Sequence, residues 1–264
     1  MAKVLAISSH VARGHVGLAA TMPALQRLGH EVWAVPTVLL ASRPGLGRMV
    51  RHEMPPSDLD RMLAALEADG CWGALDAVLT GYFPSPQAVG IAAEAVHRIK
   101  EAAPRVPVVV DPILGDAGRL YVAEPVAAAI RDRLVPLATI TTPNLFELTW
   151  LTGAQIGDTV GTARRLGPQA VVVTSATETE DCISTLLVTA HDTVERSLSR
   201  RHDLPNGAGD LFAGLLLGHV LNGRNLETAL DATLTHLDQV LAASEGRDVL
   251  ALSALNRVRP DRVG

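Results

Sequence analysis

Short runs in which every residue is apolar or β-branched recur along this chain, separated by longer segments rich in Ala and Leu. Val108-Val109-Val110 and Val171-Val172-Val173 are the plainest. A strand that is apolar at every position, rather than at every second one, has to be buried on both faces. The intervening helical segments supply that cover, so the expected fold is α/β, a three-layer αβα sandwich around a central, mostly parallel sheet. The spacing predicts strands over 4–8, 31–38, 77–80, 107–110, 138–141 and 170–174. It predicts helices over 17–28, from Ser57 or Asp58 through 66, and over 87–102, 127–134 and 144–151. Residues 182–188 and 194–198 read as an antiparallel pair. Apolar helices follow Asp210, with Gly223 and Asn225 at the turn between the first two. No repeat, low-complexity stretch or long linker divides the sequence, so a single domain over 1–264 is expected.

Composition narrows the function. Hydrophobic residues make up 48% of the 264 residues and aromatics only 3%, so the core is built from Ala, Val, Leu and Ile. A formal charge of -5 gives no reason to expect nucleic acid as a partner, and no series of interleaved aromatics offers a base-stacking platform. Cys71 and Cys182 have neither metal-site nor redox spacing and read as thiols of a reducing compartment. The N-terminus reads as a first strand rather than a signal sequence. No stretch is long and apolar enough to span a bilayer. A cytoplasmic protein without a membrane partner is expected.

The chemistry concentrates at Asn206-Gly207-Ala208-Gly209-Asp210-Leu211-Phe212. Two glycines one residue apart allow a sharp bend. The apolar helix that begins at once places unpaired N–H groups there, an arrangement that attracts phosphate. A carboxylate at that mouth would repel phosphate, but it suits a base taking a proton from a group that attacks phosphorus. An Asp in the first turn is also favoured simply by the helix dipole. Other segments point the same way, because polar residues follow the strands where an α/β sheet holds its ligands. These are Ser8, Ser9 and His10; Thr80, Gly81 and Tyr82; Asp111; Thr141, Thr142, Asn144 and Glu147; and Thr174 with Ser175. No Walker-type loop ending in Lys-Ser or Lys-Thr is present. The first strand is not followed by a dinucleotide-binding glycine fingerprint either.

These segments resemble the pyridoxal kinase family of the ribokinase-like superfamily over almost the whole length. The resemblance is carried by residues 8–17, by Leu25-Gln26-Arg27-Leu28-Gly29 with Val32-Trp33-Ala34-Val35, and by Thr80-Gly81-Tyr82. It continues through Asp111-Pro112-Ile113-Leu114-Gly115-Asp116, residues 142–153 and the Gly-rich turn. It implies ATP-dependent phosphorylation of the 5′-hydroxymethyl group of pyridoxal, with pyridoxine and pyridoxamine as further candidate substrates. In that reading Asp210 is the base, and the N–H groups of Gly207, Ala208 and Gly209 surround the transferring phosphoryl, with Asn206 beside the nucleotide. Asn144, Glu147 and Asp111 serve Mg²⁺ through its water shell, and Thr174 and Ser175 contact nucleotide phosphates. Ser9 hydrogen-bonds the pyridine ring, Tyr82 packs on it, and Tyr121 helps close the cleft. ATP and Mg²⁺ are the implied cofactors, a monovalent cation such as K⁺ is a further candidate, and a homodimer is the implied assembly.

One segment departs from the family. Where it typically carries Ser-Asn-His-Thr-Gly-Tyr, this chain reads Ala41-Ser42-Arg43-Pro44-Gly45-Leu46. Pro44 replaces a hydroxyl-bearing residue and offers no N–H. Arg43 is the candidate donor that compensates. The changed wall keeps two alternatives open: a kinase of the same superfamily acting on a hydroxymethylpyrimidine, sugar or nucleoside, or a weakly active pyridoxal-binding carrier or sensor. Pro44→Thr is expected to lower KM or raise kcat/KM for pyridoxal, which steady-state kinetics with pyridoxal as the varied substrate will check.

Overall fold

In the computed structural model residues 1–257 are described, apart from Met49 and Ile156. The strands are β1 (Lys3–Arg13), β2 (Glu31–Ser42), β3 (Arg51–Glu53), β4 (Ala77–Thr80), β5 (Val108–Val110), β6 (Gly115–Asp116), β7 (Arg119–Leu120), β8 (Ile140–Thr141), β9 (Ala170–Glu178), β10 (Cys182–Thr189) and β11 (Thr193–Ser199). The helices are α1 (Leu18–Arg27), α2 (Pro56–Ala68), α3 (Pro86–Ala102), α4 (Glu124–Ala129), α5 (Leu145–Thr152), α6 (Thr159–Leu166), α7 (Ala208–Leu221) and α8 (Leu226–Ala242). Nine strands form one sheet in the order β11-β10-β9-β8-β5-β4-β1-β2-β3, and β6 pairs with β7 separately. The six central strands are mutually parallel, while β3, β10 and β11 run antiparallel to their neighbours.

The apolar runs bury both faces of the sheet, as a parallel sheet requires. Leu5, Ile7, Val78, Val108 and Val110 join a core with Leu59 and Leu63 of α2 and Val96 and Ile99 of α3. Their chain neighbours Val4, Ala77, Leu79 and Val109 join a second core with Leu25 of α1, Leu215 of α7 and Leu230 of α8. Leu148 of α5 and Ala163 of α6 cover Val171 and Val173 of β9. The protein is therefore a three-layer α/β structure. Helix α7 is apolar on nearly every side, and Leu211 through His219 are all buried. Among the described residues no helix is long and apolar enough to cross a membrane.

Differences from the sequence reading have local causes. Strands β1 and β2 run on together to Arg13 and Ser42, past an irregularity between Ser8 and His10. Main-chain pairing continues there after the apolar run has ended. Helix α2 begins at Pro56, without a side-chain cap, so Ser57 and Asp58 lie inside its first turn. Pro fits that position because the first helical N–H has no partner to lose. The segment expected as a helix over 127–134 starts earlier, as α4, and widens into a π-type turn over Ile130–Leu134. Helix α6, capped by Asp158 on the Gly161 N–H at 2.8 Å, is an addition. So are β3 and the β6–β7 pair. At the far edge β11 alternates exposed and half-buried residues, and its Arg196 bridges to Glu227 and Asp231 of α8 at 2.8 and 2.7 Å.

Strand β1 lies between β2 and β4, and the C-terminal ends of β1, β4, β5 and β8 share one edge of the sheet, where an open α/β sheet holds its ligand crevice. The start of α7 meets the loop after β1 there. Leu215→Ala is expected to cost about 2–5 kcal/mol, because a wholly buried side chain leaves a cavity that packed helices close only in part. Urea unfolding of the variant against wild type measures it.

Candidate active site

The Gly-rich turn is shaped by close backbone approach. Gly207 caps α7 at φ 115°, and a Cβ there would collide with the His15 carbonyl oxygen. Leu211 N–H makes the first bond of the helix, to Gly207 O at 3.0 Å. The preceding N–H groups, of Ala208 and Gly209, belong to the first turn, where a helix offers them no partner. Asp210 follows, with part of its surface still open to solvent. Burial pushes its carboxyl up to about 6, opposed by the N–H groups of Gly17 and of Asp210 itself, which hydrogen-bond to it. Gly17 has no room for a side chain, since a Cβ would collide with the Ser9 carbonyl and hydroxyl. Thr21 Oγ1 donates to the Asp210 carbonyl at 3.2 Å, tying α1 to the start of α7.

Two more carboxyls belong to the same electrostatic group. Asp111 directly follows β5 and is buried, with Thr142 Oγ1 donating to it at 3.1 Å. Burial holds its carboxyl well above the usual range, and the charges of Asp210 and Glu147 push it further in the same direction. Glu147 is buried in the first turn of α5. Its Oε1 accepts the N–H groups of Leu114 and Gly115 at 2.7 and 3.3 Å, and its Oε2 accepts that of Asn144 at 2.9 Å. Burial raises this carboxyl to about 7 despite those three donors. Asn144 Oδ1 accepts the Glu147 N–H at 2.8 Å, completing a capping box. Asn144 Nδ2 donates to Gly115 O at 2.8 Å. The loop after β5 is thus held from two sides. It carries Ile113 at φ 47°, a conformation that a β-branched residue adopts only under constraint.

The other expected site residues are distributed around these. Thr174 forms a parallel bridge with Asn144, and Ser175 beyond it has φ 49°. Ser9 is buried against Gly17, while the neighbouring Ser8 Oγ accepts the Tyr82 N–H at 3.1 Å. Thr37 Oγ1 donates to the Tyr82 carbonyl at 2.7 Å. The Arg51 guanidinium lies 5.8 Å from the centre of the Tyr82 ring, a partner that the sequence reading missed because β3 carries no apolar pattern. Tyr121 is 57% exposed. Pro44 is exposed, and its carbonyl accepts Asn206 Nδ2 at 3.3 Å. Arg43 directs its Nε to the Asp248 carbonyl at 2.8 Å and its Nη1 to that of Pro44 at 3.0 Å.

Chemically, the crevice sets a helix N-terminus suited to an anion beside three carboxyls whose proton affinity burial raises, that of Asp111 further by the charges of the other two. Such a set favours a hard divalent cation, which would relieve the repulsion. Among the described residues no three His, Cys, Asp or Glu side chains are gathered to hold a metal directly. Oxygen donors of this kind are what a hard cation that keeps its waters, such as Mg²⁺, would bond to through those waters.

Comparison with known proteins agrees with this geometry. A family profile described as phosphomethylpyrimidine kinase matches residues 13–252. The chain is 40% identical over 256 residues to the pyridoxine/pyridoxal/pyridoxamine kinase of Bordetella avium, covering 93% of this chain and 86% of that protein. It is 32% identical to pyridoxal kinase PdxY of Corynebacterium diphtheriae, over 98% of this chain and 96% of the relative. The fold superposes on pyridoxal kinase from Leishmania donovani in complex with ADP and pyridoxamine with a TM-score of 0.89, at 26% identity, covering 97% and 95% of the two chains. Pyridoxal kinase from Entamoeba histolytica gives 0.90 at 27% identity, with the same coverage.

The raised carboxyls predict a pH dependence. Asp210 titrates at about 6 in the folded protein against an ordinary 3.8, and Glu147 at about 7 against 4.5. The folded state binds more protons than the unfolded one between those values, so these groups make stability fall as pH rises through that window and level off above it. Asp210→Asn removes one contribution. Its unfolding free energy relative to wild type is expected to grow as pH rises from about 4 to about 6, which urea titrations of the two proteins across that range will test.

Proposed function

Since the chain belongs to the phosphomethylpyrimidine kinase family and, within it, to the pyridoxal kinases of the ribokinase-like superfamily, we propose that it transfers the γ-phosphoryl group of ATP to the 5′-hydroxymethyl group of pyridoxal. Pyridoxine and pyridoxamine are the related substrates, and the product is the 5′-phosphate of vitamin B6 salvage. The observation that carries the reading is the placement of Asp210 at the N-terminus of α7, with a carboxyl titrating near 6. Such a group is ionised at neutral pH yet basic enough to accept the alcohol proton as the oxygen attacks phosphorus. The N–H groups of Gly207, Ala208 and Gly209 face the charge that develops on the transferring phosphoryl oxygens, where donors fixed in advance lower the barrier most.

The remaining assignments rest on the family resemblance. Asn144, Glu147 and Asp111 would hold Mg²⁺ through its waters. When bound, Mg²⁺ offsets the negative charge of the nucleotide phosphates. Thr174, Ser175 and Asn206 lie toward the nucleotide, and Ser9 and Tyr82 toward the pyridine ring, with Tyr121 on the loop beside the crevice. A cytoplasmic homodimer completes the proposal, on the family resemblance alone.

The test is ATP-dependent phosphorylation of a panel containing the three B6 vitamers, hydroxymethylpyrimidine and ribose. Vitamer phosphorylation is expected to be fastest. A pyrimidine alcohol used far faster would replace the vitamin reading with that of another small-alcohol kinase. Asp210→Asn is expected to lower kcat by about 10²–10⁴-fold while nucleotide binding, measured by calorimetry, persists. Retention of near-wild-type kcat would remove Asp210 from the role of base.

A further inference from the structure

Three segments that touch the Gly-rich turn meet at one side chain. Arg43 directly follows β2, and its main-chain N–H donates to Arg13 O at the end of β1, at 2.9 Å. Its stem passes so close to Gly14 that a Cβ there would lie 3.0 Å from Arg43 Cγ. The guanidinium then divides its donors, Nε to Asp248 O at 2.8 Å and Nη1 to Pro44 O at 3.0 Å. Each of these partners reaches the turn by its own route. Gly14 precedes His15, whose carbonyl abuts Gly207. Asp248 stands two residues before the buried Leu250, whose Cδ1 would lie 3.1 Å from a Cβ at Gly207. The Pro44 carbonyl also accepts Asn206 Nδ2, one residue ahead of Gly207. The 42–46 loop is itself closed, with Ser42 Oγ donating to Leu46 O and Leu46 N–H to Arg43 O at 3.1 Å.

We infer that Arg43 is a positioning residue for phosphoryl transfer. It ties the loop after β1, the end of β2 and the segment before Leu250 into one body around Gly207, so that the wall of the alcohol pocket and the phosphoryl-receiving turn keep a fixed separation. The inference rests on the kinase reading above. Only a planar fork reaches two carbonyls in different directions while its stem packs on a third segment, and a Lys ammonium cannot reproduce that. With Nε and Nη1 each directed to a carbonyl oxygen of a segment that meets the turn, Arg43 acts on the reaction through Gly207 rather than on the alcohol. Transfer is sensitive to such placement, since a shift of about 1 Å arising away from the chemistry can cost on the order of 10²-fold.

Arg43→Ala is expected to lower kcat about tenfold or more with KM for pyridoxal held within about twofold, and Arg43→Lys to recover only part of the loss. Combined with Leu250→Ala, which loosens the same segment, the losses should multiply to less than their product, the mark of a shared route. Hydrogen exchange of residues 206–212, followed without substrate, should quicken in Arg43→Ala. A raised KM with kcat intact would overturn the inference in favour of direct contact with the alcohol. Unchanged kcat and unchanged exchange would overturn it as well. If wild type phosphorylates no vitamer, the kinase reading falls, and the exchange comparison alone still decides whether Arg43 holds the turn.

Discussion

The site depends on two loops, far apart in sequence, touching through their backbones. Gly207 admits the His15 carbonyl where any side chain would collide, and Gly17 brings its N–H to the Asp210 carboxyl while pressed against Ser9. The loop after β1 and the start of α7 therefore set each other's position. A Cβ at either glycine would force them apart, and the carboxyl would lose the donor that orients it. Thr21 repeats the connection one turn further on, through the Asp210 carbonyl.

Electrostatics work against this arrangement and reveal its purpose. Asp111, Glu147 and Asp210 are kept near one another in surroundings that penalise their ionised forms. Protein stability alone gives no reason to gather them. The main chain offsets part of the penalty at Glu147 with three N–H groups, two of which, from Leu114 and Gly115, also fix the loop carrying Ile113. Glu147 thus has an architectural role, holding that loop and capping α5, alongside the metal-related role proposed for it. The two roles draw on the same pair of oxygens.

What could be read from the sequence follows the physical strength of each signal. Runs such as 108–110 and 171–173 announce strands buried on both faces, and the glycines of 207–209 announce a bend at a helix start. Strand β3 consists of Arg51, His52 and Glu53, all exposed, so it is held by pairing with β2 and leaves no apolar pattern to read. Pairs of two residues, as in β6 and β7, are too short to show any period. Arg43 illustrates a different limit. Its chemistry as a donor was legible, but the direction of its side chain is set by a carbonyl 205 positions along the chain. The Asn144–Glu147 spacing carried both a capping box and an acidic site, and only coordinates separate the two contributions.

The sheet is open, and an open sheet leaves two rows of main-chain groups available to any passing strand. Here both borders are finished with charge. On one side stand Arg51 and Glu53 of β3, and on the other Glu195 and Arg196 of β11, the latter anchored to α8. A further chain docking against either border would have to strip water from those ions before gaining its first hydrogen bond. The short apolar strands that build the core are thereby kept to the middle, out of reach of edge-to-edge pairing.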